Sequence, residues 1–187
     1  MKNSIKLLKV VGLVATFFAL VSCAHNSSVN AKKHWTYSNN TLASERTNDI
    51  HVLELNGAKV IRVGETVRVI IPSDRLFEPG TANLNESGYL ANTAHFISTL
   101  NTISIKVSAY SDTANKVGAP GERKVALTSK QAEVVQSYLW SKGIDSRFIY
   151  AKGYGAKDAV AWNGTTLGRS FNRRVEISFN FYPFLAK

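Results

Sequence analysis

The sequence predicts an α/β (α+β) fold, a two-layer sandwich with helices on one face of a sheet and a more polar face opposite. Three observations carry this. "ISIKVSAY" (Ile103 to Tyr110) alternates strictly, placing Ile103, Ile105, Val107 and Ala109 on one side. "RRVEISFNFY" (Arg173 to Tyr182) alternates too, with Val175, Ile177, Phe179 and Phe181 on one face and Glu176, Ser178 and Asn180 on the other. Two stretches of helical period are interleaved with such strands rather than segregated from them.

In chain order, "HVLELNGAKVIRV" holds two apolar runs around Asn56-Gly57. That dipeptide predicts a hairpin, because a type I′ turn needs positive φ at both central residues. "ETVRVIIP" (Glu65 to Pro72) is a further strand closed by proline, and "SDRLFEPGTANL" is a turn-rich connection. A first helix is expected from an Asn85 N-cap, with Leu84 and Tyr89 as a hydrophobic staple. Its stripe is Leu90, Ala94, Phe96, Ile97 and Leu100, with His95 beside it as a hydrogen-bonded, half-buried side chain. A second helix is expected from about Ser129 to Lys142, ended by Gly143 and facing inward through Val134, Val135, Tyr138 and Leu139. "RFIYAKGYG" is a short strand running into a glycine turn.

The N-terminus has another character. Lys2, Lys6 and Lys9 precede an uncharged apolar run, Val10 to Leu20, too short to span a bilayer and typical of an export signal. The run ends in Leu-Val-Ser-Cys, which resembles the lipobox of bacterial lipoproteins. Cys23 is the single cysteine of the chain, so it can form no internal disulfide, and an anchoring role is expected for it. By resemblance to the bacterial sorting rule, Ala24 favours the outer membrane, with the domain facing the periplasm. The expected organisation is a signal peptide over 1–22, a lipidated (palmitate-bearing) Cys23 and polar tether over 23–49, and a domain over 50–187.

The formal charge is +10, and three of the lysines lie before Cys23 with no acid among them, so the remainder carries +7. Without an arginine-rich, aromatic-interleaved patch, no nucleic-acid binding is expected. His25, His34, His51 and His95 lack metal-ligand spacing, no serine has a nucleophile-elbow context, and "KGYGAKD" lacks a phosphate-loop pattern. No enzyme, metal or cofactor is expected.

The last third carries the most specific signal. "GYGAKDAVAWNGTTLGRSFNRRVEISF" (Gly153 to Phe179) resembles the end of the OmpA-like peptidoglycan-associated domain, at Gly153, Tyr154, Gly155, Asn163, Thr165, Gly168, Arg169, Asn172, Arg173, Arg174, Val175, Glu176 and Ile177. The likeness runs from about Val67 to Phe181. It implies a β-α-β-α-β-β domain with a mixed sheet, here preceded by an extra N-terminal hairpin. It also implies non-covalent binding of the peptidoglycan peptide stem, through an aspartate for the ammonium of diaminopimelate and a helix arginine for its carboxylate. A point acceptor and a bidentate fork suit such a zwitterion.

Only half of that clamp is matched. "AYSD" ends the middle strand, so Asp112 occupies the aspartate position, either contacting ligand or capping the strand end. "LTSKQA" (Leu127 to Ala132) puts Gln131 where the arginine is expected, and the loop from Asp112 is about four residues longer than the family pattern. Thr128-Ser129-Lys130-Gln131 fits a capping box, which assigns Gln131 to capping first and to ligand second. Lys130, Lys124 and Arg123 are candidate replacement cations. The resemblance thus gives Asp112, Thr113, Leu127, Thr128, Lys130, Gln131 and Arg174 as peptidoglycan-binding residues. "VIRVGETVRVIIPSDRLFEPGTANL" (Val60 to Leu84) further resembles OmpA-type lipoproteins of type IVB secretion systems. The implied partners are peptidoglycan, the outer membrane through the anchor, and other secretion-system subunits, with the aromatic tail Phe179 to Lys187 available for docking.

Overall fold

The computed structural model describes residues 39–85, 88–113 and 121–182, with side chains from Arg46 onward. Cys23, the expected signal peptide, most of the tether and the tail beyond Tyr182 lie outside the described residues.

Five strands form one sheet: β1 (Lys59–Val63), β2 (Thr66–Pro72), β3 (Asn101–Tyr110), β4 (Ile149–Gly155) and β5 (Arg174–Tyr182). The order is β1-β2-β5-β3-β4, so the last strand of the chain lies at the centre. It pairs antiparallel with β2 and β3, whereas β3 and β4 are parallel, which makes the sheet mixed. Helices α1 (Asn39–Leu55), α2 (Ser73–Leu76), α3 (Gly88–Ser98), α4 (Gly121–Ser141) and α5 (Thr166–Asn172) complete the fold. The expected β-α-β-α-β-β path is β2-α3-β3-α4-β4-β5.

One face of the sheet supplies the core. Val69 and Ile71 of β2, Ile105 and Val107 of β3, and Val175, Ile177 and Phe179 of β5 are all buried there. They meet Leu90, Ala94, Phe96 and Ile97 of α3 and Ala132, Val135 and Leu139 of α4. Phe96 meets Phe179 edge to face at 5.8 Å. Ile103 departs from its expected face and is 39% exposed. The β3–β5 register shifts between Thr102 and Ser104, so Ile103 is the extra residue of a bulge.

The N-terminal hairpin needs correction. Residues 39–49 of the expected tether and the first expected strand together form α1, and Asn56-Gly57 ends that helix. Gly57 has φ +91°, its N–H bonds Glu54 O at 2.9 Å, and Ala58 N–H bonds Leu53 O at 3.0 Å. This is a Schellman pair, and the apolar contact that accompanies it is supplied by buried Leu53 and Ala58. The same φ > 0 that suits a hairpin turn suits a helix stop; only the partner of the preceding segment distinguishes them. The hairpin exists one step later, where Gly64-Glu65 joins β1 to β2, with positive φ at Gly64 alone as a II′ turn requires. Gly143 ends α4 by the same Schellman pattern, as expected, with bonds from Gly143 N to Trp140 O and from Ile144 N to Leu139 O.

Helix α1 is held by Leu53 in the core, by Arg46 Nη2 donating to Thr99 O at 3.1 Å, and by a hydrogen bond between His95 Nδ1 and the Asp49 carboxylate at 3.1 Å. His95 is thus hydrogen-bonded as expected, but exposed.

Helix α4 is packed against β4 at backbone distance. A Cβ built at Gly153 would lie 2.1 Å from Ser129 N and 2.5 Å from Thr128 C, and neither is a side chain that can swing away. Gly153→Ala must therefore push α4 off the strand, and it is expected to lower stability by about 1–3 kcal/mol or more. A urea-unfolding midpoint unchanged from the unaltered chain would contradict this packing.

Candidate functional site

A cleft of about 650 Å³ opens where the C-terminal end of β3, the first three turns of α4 and the α2 segment converge. Asp112, just beyond β3, lines it, as do Arg123, Lys124, Leu127 and Gln131 of α4, Asp74 of α2, and Arg173 before β5. The end of β3 is fixed by Ser111 N–H donating to Gly155 O at 2.7 Å, which sets Asp112 at the mouth of the β3–β4 pair.

Arg173 organises the acids. Its Nε and Nη2 donate to Asp74 Oδ1 and Oδ2 at 2.8 and 2.6 Å, a bidentate fork, and its Nη1 donates to Asp112 Oδ2 at 2.5 Å. These bonds, Asp74's first and Asp112's after it, hold the guanidinium above its ordinary pKa although burial opposes them. Asp112 is 8% exposed, and Lys124 Nζ donates to its backbone carbonyl at 3.0 Å. The cleft therefore combines carboxylates with the basic first turn of α4.

Several expected roles change. Helix α4 begins at Gly121, two turns before the expected start, so Thr128 and Gln131 lie in its interior and form no capping box. The longer loop is in part extra helix. Thr128 Oγ1 donates back to Lys124 O at 2.8 Å and accepts from Gly155 N–H at 3.0 Å, bracing α4 on β4 beneath the cleft. Gln131 is 6% exposed and its Nε2 donates to Thr81 O at 2.8 Å, tying the 77–84 connection to α4. Leu127 lines the cleft as an apolar wall, whereas Lys130 is exposed and does not line it. Thr113 N–H donates to Asn163 Oδ1 at 3.1 Å, joining the loop after β3 to the loop before α5.

Arg174 belongs elsewhere. It is 4% exposed on the opposite face of the sheet, where Nε donates to Glu176 Oε1 at 2.7 Å, Nη2 donates to Asp158 O at 3.1 Å, and the guanidinium lies 4.0 Å from the Tyr110 ring centroid. The arginine that reaches the cleft is Arg173. Strand parity contains that answer: Val175 faces the helices, so Arg173 shares its side and Arg174 does not. Asp74 carries no comparable sequence signal, because its partner lies 99 residues away.

The loop before α5 is locked from below. Asn172, fully buried, accepts from Val160 and Ala161 N–H at 2.8 and 3.0 Å and donates to Ala161 O and Asn163 Oδ1 at 2.8 and 2.9 Å. Thr165 caps α5 by accepting from Gly168 N–H at 3.0 Å. The motif Asn-x-Thr…Gly-Arg-x-x-Asn, which the sequence showed only as a family likeness, thus braces this loop through bonds that span at most 12 residues.

Comparison with known proteins agrees with this architecture. The sequence profile of the OmpA family matches residues 76–173, just over half of the chain. YiaD, a probable lipoprotein of Escherichia coli K12, is 27% identical over 126 residues, which are 66% of this chain and 56% of YiaD. The peptidoglycan-binding protein ArfA of Mycobacterium tuberculosis H37Rv is 32% identical over 76 residues, 41% of this chain and 22% of ArfA. The chain thus spans just over half the length of one relative and about a fifth of the other. The cell wall anchor of the T6SS from Pseudomonas aeruginosa has the same fold, at TM-score 0.64 and 24% identity over 75% of this chain and 97% of that one.

Thr128→Val keeps the side chain's shape and removes the acceptor of the buried Gly155 N–H. Stability is expected to fall by about 1–3 kcal/mol, read from chemical denaturation; an unchanged unfolding midpoint would show that the brace contributes nothing.

Proposed function

This chain belongs to the OmpA family, and from that premise we propose that its cleft grips the peptide stem of peptidoglycan without a covalent bond. The observation that carries the reading is the placement of Asp112 in one cleft with the cationic first turn of α4. A diaminopimelate-type residue presents an ammonium and a carboxylate on one carbon. The ammonium would sit on Asp112, and the carboxylate would meet Arg123 and Lys124, with the positive end of α4 adding to their field. Arg173 bonds one oxygen of Asp112, and a carboxylate accepts several hydrogen bonds at once, so an incoming ammonium adds to the pair rather than displacing it. Arg123 and Lys124 replace the fork that Gln131 cannot supply, since the amide of Gln131 is committed to Thr81 O. A peptidoglycan-binding relative at 32% identity supports the ligand class.

Within that reading the protein is an outer-membrane lipoprotein, acylated on Cys23, whose periplasmic domain fixes an envelope complex to the wall. The Val60 to Leu84 segment resembles DotK/IcmN lipoproteins, and for that reason we place the complex in the Dot/Icm type IVB class. A second reading rests on Gln131: with a weaker carboxylate fork, the domain serves chiefly as a structural subunit making protein–protein contacts.

A sacculus pull-down with the full chain separates the two. Asp112→Ala is expected to weaken binding about tenfold or more, because a charge-assisted bond is lost. Absence of binding by the unaltered chain supports the structural subunit. Equal binding of chain and variant, lost in salt, reduces the interaction to basic adhesion. Cys23→Ser is expected to release the chain from membranes and abolish palmitate labelling; retention would overturn the anchor.

A further inference from the structure

The face of the sheet turned away from α3 and α4 carries a second concavity, of about 480 Å³, at its β1–β2 side. Ile61, Ile70 and Pro72 form one wall and Val160 with Phe171 the other. Val160 is 63% and Phe171 57% exposed. Polar groups converge on this apolar lining. Lys59 and Arg68 stand in it, and the only acid among its described lining residues, Glu176, is 8% exposed and already shared by Arg174 at 2.7 Å and Arg68 at 3.5 Å. Lys59 enters no ion pair among the described residues, and the Arg68 side chain stays 51% exposed.

The far wall is preformed. Asn172 fixes the backbone at Val160 and Ala161 from beneath, and Arg174 Nη2 holds Asp158 O at 3.1 Å. Apolar side chains on a rigid support, left open to water, lower the ordering cost of whatever covers them.

We propose that this groove is a docking site for a short segment of another protein in which apolar side chains are flanked by carboxylates. Charge selects that occupant. Lys59 and Arg68 call for anions, and a second copy of this chain from Cys23 onward would bring a net charge of +7. Shape selects it too, because a bilayer surface cannot fill a concavity whereas a peptide segment can. The groove lies on the opposite sheet face from the Asp112 cleft, so wall and protein partner can be held at once, and the proposal does not depend on peptidoglycan binding.

The test is titration of the isotope-labelled full chain with the acetylated peptide Glu-Leu-Phe-Leu-Glu and its counterpart Lys-Leu-Phe-Leu-Lys, read by amide chemical shifts. Saturable shifts at Ile61, Ile70 and Phe171 are expected with the glutamate peptide only. Phe171→Ser and Lys59→Glu should each weaken it about fivefold or more. Lys59 is a surface side chain, so its variant tests the idea even if Phe171→Ser loosens α5. Sacculus binding should be the same in Lys59→Glu as in the unaltered chain. Equal binding of both peptides, shifts confined to the Asp112 cleft, or no saturable shift up to about 1 mM would overturn the proposal. So would failure of the peptide while phosphatidylglycerol vesicles bind in a manner that Lys59→Glu abolishes.

Discussion

The closeness of α4 to β4 at Gly153 governs the rest of the domain. A helix normally rests on a sheet through two layers of side chains, but here the backbone of Thr128 and Ser129 touches the strand directly. That approach is possible only where the strand residue has no Cβ, and it fixes both the height and the rotation of α4. Thr128 then reaches Gly155 N–H, and the turn bearing Arg123, Lys124 and Leu127 falls beside Asp112. Apolar burial of Ala132, Val135 and Leu139 would hold α4 on the sheet in any case. It would not by itself place the basic turn within reach of the strand end.

The central position of β5 has a comparable effect on charge. Two successive arginines, Arg173 at the end of α5 and Arg174 at the start of β5, lead into the sheet between β2 and β3, and their extended backbone sends them to opposite faces. Arg173 gathers Asp74 and Asp112 at the cleft, while Arg174 gathers Glu176, Asp158 O and Tyr110 beneath the groove. A pair that reads as a single basic motif therefore serves two surfaces. Neither guanidinium is exchangeable for lysine in these settings, because each satisfies several acceptors in one plane.

Strand alternation and the core face were legible in the sequence, because each depends on spacing of a few residues, whereas Gly153-Tyr154-Gly155, expected as a turn, completes strand β4. The strand end that sets Asp112 at the cleft was legible in the same way. That Gln131 stands where the resemblance implies an arginine was visible too, but not what its amide does, since its acceptor is a loop carbonyl 50 residues distant. Asn56-Gly57 shows the limit most directly. The dipeptide prescribes a chain reversal with φ > 0, and a hairpin or a Schellman stop satisfies it equally. The choice falls to Leu53 and Ala58, which find the core only if the preceding segment is helical.

Local periodicity and turn chemistry thus determined the sandwich and the strands from β1 to β5, and the motif resemblance of Gly153 to Phe179 pointed to the family. Tertiary packing alone decided that α1 is a helix, that α4 begins two turns early, and that Arg173 rather than Arg174 faces Asp112 in the cleft. The reason is the range of the forces involved. Alternation and capping are settled between near neighbours, whereas an ion pair across 99 residues, or a helix backbone laid against a glycine, exists only once the chain has closed on itself.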